Sequence, residues 1–158
     1  MIAIRLLLAA AAFLLSTSAS AGAMLLWSEF NGKLHTANTD GSGYTTLPTA
    51  TAGGVAVDGA TGRVYYGEYG AIYSANLDGS DQRLVANTGS YIVWNMVIAK
   101  GQLYFNSSGN DSAAGIGRVN LDGTGLTRIA DRASGEAIAY DADADKIIYQ
   151  HFGTSDEP

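Results

Sequence analysis

One five-residue pattern occurs three times in this 158-residue chain: Asn38-Thr39-Asp40-Gly41-Ser42, Asn76-Leu77-Asp78-Gly79-Ser80 and Asn120-Leu121-Asp122-Gly123-Thr124. The Asp-Gly pairs stand 38 and 44 residues apart. Leu34, Ile72 and Ile116 precede the three Asp residues by six positions, and Ala37, Ala75 and Val119 precede the three Asn residues. A recurrence of this length marks a repeat architecture, in which one supersecondary unit is used again and again. Asp-Gly is a hairpin signal with a mechanism, because glycine takes a positive φ without steric cost and Asp tolerates one.

Alternating stretches flank these turns. Gly70-Ala71-Ile72-Tyr73-Ser74-Ala75-Asn76-Leu77 enters one and Gln82-Arg83-Leu84-Val85-Ala86 leaves it. That period is two, so the prediction is strands. Two further strands complete each unit. One follows the hairpin, at 54–58, 95–99 and 136–141. The other opens the next unit with aromatics, as in Tyr65-Tyr66-Gly67-Glu68. Four short strands per repeat predict an all-β fold of β-propeller blades. The expected blades are 24–62, 63–101 and 102–145, with a fourth starting at 146–152 and a tail at 153–158. The Asp-Gly turns are expected between second and third strands, on the face that carries the links between blades. That face would gather Asp40, Asp58, Asp78, Asp81, Asp122, Asp141, Asp143 and Asp145.

The segment from Gly53 to Val85, GGVAVDGATGRVYYGEYGAIYSANLDGSDQRLV, resembles the YWTD, or LDL-receptor class B, repeat. The resemblance extends over nearly all of residues 24–150. It implies blades of a six-bladed propeller of the kind found in receptor ectodomains and in bacterial exported proteins. The family's aromatic tetrapeptide matches Leu26-Trp27-Ser28-Glu29 and Tyr65-Tyr66-Gly67-Glu68, with Glu at its acidic position. The third copy, Tyr104-Phe105-Asn106-Ser107, lacks the acid. The family's Arg four residues before the turn Asp, which pairs between blades, is matched by Arg118 alone; Thr36 and Ser74 occupy the other two positions.

The N-terminus reads differently. A head with Arg5, an apolar run from Leu6 to Leu15 and small residues through Ala19-Ser20-Ala21 describe a secretory signal peptide over 1–21. The run is too short to span a bilayer, which takes roughly 20 apolar residues, and no later segment is apolar enough. The chain has no cysteine, which excludes thiolate metal sites and a disulfide scaffold. These features predict an exported protein, periplasmic or extracellular, of bacterial type. A net charge of −6 without basic runs excludes the electrostatic footprint of a nucleic-acid binder.

Chemistry-bearing motifs are few. Asp141-Ala142-Asp143-Ala144-Asp145 sets out alternate carboxylates, a weak candidate cation site, but Lys146 and Phe152 stand where an EF-hand loop needs Gly and Glu. The expectation is therefore no metal and no cofactor. Asn106 and Asn110 begin formal glycosylation sequons within a loop, 106–115, that is longer than its counterpart in the previous repeat. Insertions on one face of a repeat array often mark binding. Asn106, Asn110 and the aromatics Tyr91 and Trp94 are the weak ligand candidates. His35 and His151 have no metal-ligand spacing, and there is no Gly-x-Ser-x-Gly elbow.

The expected function is a non-enzymatic binding or scaffold module presenting a propeller face to a protein or glycan. The alternative is a piece of a metal-dependent lactonase- or lyase-like propeller enzyme, for which Glu29 and Glu68 are the repeated acids near the channel. Three blades do not close a ring. The expected resolutions are a longer propeller protein, a homodimer completing six blades, or an open array.

Overall fold

The computed structural model describes residues 24–29, 32–49, 53–89, 92–108, 115–131 and 137–150. The signal-peptide segment, Tyr91, Asn110 and the tail lie outside them. All regular elements among the described residues are strands, and no helix among them is long and apolar enough to cross a membrane.

Among the described residues thirteen strands form four antiparallel sheets. Sheet 1 holds β1 (Met24–Ser28), β2 (Leu34–Asn38) and β3 (Thr45–Thr46). Sheet 2 holds β4 (Val55–Asp58), β5 (Arg63–Glu68), β6 (Ala71–Asn76) and β7 (Arg83–Asn87). Sheet 3 holds β8 (Ile92–Ala99), β9 (Gln102–Ser108), β10 (Gly115–Asn120) and β11 (Thr127–Asp131). Sheet 4 holds β12 (Ile138–Asp141) and β13 (Lys146–Tyr149). Each sheet is a simple meander, and the first strands touch from sheet to sheet, β4 with β8 and β8 with β12. These are blades of a β-propeller, as the repeats predict.

The sheets are out of phase with the expected units by one strand. The segment 54–58, expected to end the first blade, pairs with Arg63–Glu68 and opens sheet 2. The corresponding segments 95–99 and 136–141 open sheets 3 and 4. The cause is a hairpin at Asp58–Gly62. Gly62 N–H donates to Asp58 O at 2.8 Å, while the Asp58 carboxylate takes the Ala60 N–H at 3.0 Å and the Thr61 hydroxyl at 2.6 Å. The Asp-Gly turns consequently join third to fourth strands. The eight Asp residues do share one end of the molecule, since first–second and third–fourth turns of a meander lie together. The last strand of one sheet ends, and the first strand of the next begins, at the opposite end.

Each Asp-Gly turn is one closed hydrogen-bond unit. In the second copy Gly79 N–H donates to Asn76 O, and Asn76 N–H to Ser80 O. Asp78 Oδ1 accepts from both Ser80 N–H and Ser80 Oγ, and Asn76 Nδ2 donates to Ser80 Oγ. Asn38-Asp40-Ser42 and Asn120-Asp122-Thr124 repeat every one of these bonds. Gly41, Gly79 and Gly123 have φ of 83°, 80° and 89°, which is why each copy keeps glycine there.

The aromatic tetrapeptides are core. Strand β5 buries Val64, Tyr65, Tyr66 and Gly67 in succession, because alternate residues point to opposite faces and sheet 2 is covered on both. Val64, Tyr66 and Ala75 pack on Leu34 and Leu47 of the sheet 1 segment. Tyr65 and Ile72 pack on Met96, Leu103, Phe105 and Val119 of sheet 3. A third, smaller cluster joins Ile116 of sheet 3 to Ile138 of sheet 4. Burial pushes the Tyr66 phenol up to about 12, with Glu68 and then Tyr73 adding to the effect.

Candidate binding cleft

A hollow lies between the outer strand of sheet 2 and the outer half of sheet 3. It has a volume of about 250 Å³ and is lined by Asn87, Thr88, Phe105, Ser107, Gly115, Ile116, Gly117, Leu126, Thr127 and Arg128. Its origin is visible in β10. Gly117 stands opposite Phe105, and a Cβ there would come within 2.3 Å of the Phe105 ring. A Cβ on Gly115 would come within 2.2 Å of Ala130 O and 2.9 Å of Arg128 Nε. Two absent side chains therefore let the ring and the guanidinium lie against β10 and keep the floor open. Leu126 adds an exposed apolar wall.

Polar groups are sparse and placed at the margins. Ser107 Oγ donates to Gly115 O at 3.5 Å. The Thr88 hydroxyl is buried with no partner, a costly state for a group that can both donate and accept. Arg128 brings positive charge to the rim. An apolar hollow with a few convergent polar groups is the usual form of a small-ligand or side-chain pocket.

The sequence-predicted residues divide. Trp94, in β8, is half-buried and its Nε1 donates to Ser108 Oγ across the sheet. Asn106 is 1% exposed. Its Oδ1 accepts the Asn95 N–H at 2.7 Å, where the β8–β9 register shifts between Val93 and Asn95. Its amide thus holds a bulge, and its sequon is enclosed. Neither residue lines the cleft. Of the residues that do, Ser107 and Gly115 fall in the expected loop 106–115 but stand in β9 and β10, while Phe105 and Gly117 read as ordinary strand residues. The signal that could have found them is the pairing of a glycine directly across from an aromatic.

Asp141, Asp143 and Asp145 form the first–second turn of sheet 4. Asp141 Oδ1 accepts the N–H groups of Asp143 and Ala144, each at 3.0 Å. Asp145 instead bonds Lys100 Nζ and Tyr140 OH, which hold its carboxyl below the usual range. Among the described residues no three His, Asp or Glu side chains gather into a group that could hold a metal ion. Glu68 ends β5 of sheet 2, while Glu29 follows β1 of sheet 1. Burial raises the Glu68 carboxyl, while Glu29 Oε1 lies 3.4 Å from His35 Nε2.

No protein-family model matches the chain, and no curated protein matches it in sequence. Among solved structures, it is similar to a chain in the crystal structure of a nidogen/laminin complex, with a TM-score of 0.68 at 20% identity. The match covers 80% of this chain and 51% of that one. The chain thus spans about half the length of that structural relative. Likeness at this identity shows the fold, a β-propeller, and the fold alone.

Proposed function

We propose that the protein is an exported, non-enzymatic binding module whose cleft between sheets 2 and 3 receives an apolar side chain of a protein partner. The observation that carries this reading is the cleft itself: a Phe105 floor held open by Gly115 and Gly117, beside the unpartnered Thr88 hydroxyl. A hollow of about 250 Å³ suits a single aromatic or branched side chain rather than a large cofactor. Buried aromatic or aliphatic anchors in such pockets carry much of the energy of protein association. The structural relative comes from a complex of two proteins, which supports a protein partner over a glycan. Export rests on the basic head, apolar run and small-residue site of the first 21 residues.

The test is selection of binders from a displayed random-peptide library, followed by affinity measurement on Thr127→Trp, a rim substitution that fills the cleft. Selected peptides should share an apolar anchor and lose at least about tenfold in affinity, the worth of about 1.4 kcal/mol. Peptides that bind Thr127→Trp as well as the parent would place recognition elsewhere.

A further inference from the structure

The cleft between sheets 2 and 3 has a sister site between sheets 1 and 2, built from equivalent positions. Register sets the counterparts. Phe105 stands opposite Gly117 as Tyr66 stands opposite Tyr73. Gly117 in turn stands opposite Arg128 as Tyr73 stands opposite Leu84. Ser107 stands opposite Gly115 as Glu68 stands opposite Ala71.

The sister site is filled. Tyr73 lies on Tyr66 with ring centroids 5.9 Å apart and planes at 20°, and both rings pack with Leu34 and Leu47. Three changes separate the cleft from it. Gly117 stands in place of Tyr73, so one aromatic ring is missing beside Phe105. Ser107 stands in place of Glu68, so an acid is missing. Arg128 stands in place of Leu84, so a cation is added. Gly115 in place of Ala71 belongs with this last change, since a Cβ there would come within 2.9 Å of Arg128 Nε. The surroundings of the missing ring are also drier. Tyr66 OH donates to Gln82 Oε1 at 3.3 Å. Phe105 has no hydroxyl, and Leu126 holds the position of Gln82, each four residues after its turn Asp.

We propose that the cleft receives the C-terminal residue of a protein partner, an aromatic one, with its ring against Phe105 and its chain-terminal carboxylate on Arg128. This rests on the reading of the cleft as a side-chain pocket and names the anchor it takes. A ligand ring restores the aromatic pair that Gly117 removes, and offset stacking adds to the gain from burial. A carboxylate answers a guanidinium in a site that has lost its own acid. The fork of N–H donors on a guanidinium serves a protein contact and a ligand carboxylate together. Geometry favours a chain end over an internal acidic residue. Gly117 and Gly115 lie two positions apart on one face of β10, roughly 6.5 Å. Arg128 starts opposite the first and carries its guanidinium to the second. A terminal carboxylate belongs to the same residue as its ring, joined through Cα and Cβ, and fits that span. In an extended internal segment the side chain of a neighbouring residue points to the opposite face.

The probe is a short glycine-serine peptide ending in phenylalanine, titrated against the full chain by NMR. Three relatives are titrated beside it: its C-terminal amide, the peptide with a glycine added after the phenylalanine, and a version ending in leucine. The proposal expects the free acid to bind, and the amide and the extended peptide to bind at least about tenfold more weakly. The leucine version should bind at least about threefold more weakly, for want of stacking. Arg128→Leu gives this exposed position the residue that sheet 2 carries, and should bind acid and amide alike. No binding of the free acid overturns the proposal. So does equal binding of the acid and any of its relatives, or an acid preference that survives in Arg128→Leu. The cleft reading fails separately. Library peptides with internal apolar anchors that lose affinity for Thr127→Trp would keep that reading while the terminal-residue proposal falls. A phenylalanine probe that binds Thr127→Trp as well as the parent overturns both.

Discussion

Gly117 shows how much one missing side chain decides. It is buried in the middle of β10, a position where glycine weakens a strand by leaving nothing to pack. Here the Phe105 ring occupies that space, within 2.3 Å of where a Cβ would stand. Gly117→Ala should therefore cost about 1–3 kcal/mol, the usual range for overpacking a dense core. The denaturation midpoint measures it, and a midpoint equal to the parent's would show that Phe105 can turn aside freely. Arg63 makes a related point. The family resemblance implies an arginine at position 74, where Ser stands. The guanidinium that matters in that sheet comes from Arg63, the residue opposite Asn76. It bonds Asp81 and Asn76 through Nη1, and Ser74 Oγ through Nη2. A charge can leave a motif position and return two register pairs away, which a linear pattern does not reveal.

The Asn-x-Asp-Gly turns set the acid behaviour of the hairpins. The hydroxyl of Ser42, Ser80 or Thr124 is the first cause, and its backbone N–H the second, holding Asp40, Asp78 and Asp122 below the ordinary carboxyl value. A carboxyl whose folded pKa is depressed stabilises the fold fully above its unfolded pKa, about 3.9. That contribution is lost as pH falls through the lower folded value. The melting temperature should hold steady from neutral pH down to about 5 and fall below about 4. Changing Ser42, Ser80 and Thr124 together to Ala should make the acid limb shallower, since the largest cause is gone. Superimposable acid limbs for parent and variant would show that other carboxylates govern it. At this scale the sequence was informative about strands and turns, because alternation and Asp-Gly chemistry are local. It misassigned sheet membership, because nothing local says whether Val55–Asp58 pairs backward or forward. The deciding contact, Asp58 with Gly62, was readable in Asp58-Gly59-Ala60-Thr61-Gly62, but the stronger Asp-Gly repeat drew the phase. The cleft was illegible for a harder reason: it arises between β7 and β10–β11, whose approach depends on how two sheets stack.

At the scale of the whole molecule, the sheets behave as a short array in which each core belongs to two neighbours. Val64 and Tyr66 have their apolar partners in sheet 1, while Tyr65 and Ile72 have theirs in sheet 3. No cluster spans more than two sheets. Stability in such an array is close to a sum of unit and nearest-neighbour terms, so local opening should be graded by how many neighbours a sheet has. Sheets 2 and 3 have two each. Sheet 4 packs through a small cluster and exposes Ile148 and Tyr149 at 56% and 41%. Amide hydrogen exchange should then rank β5, β6, β9 and β10 slowest and β13 fastest of the strands, by at least about tenfold, which corresponds to about 1.4 kcal/mol of opening free energy. Uniform protection across all thirteen strands would mean that the chain opens as a single unit and that the nearest-neighbour description fails.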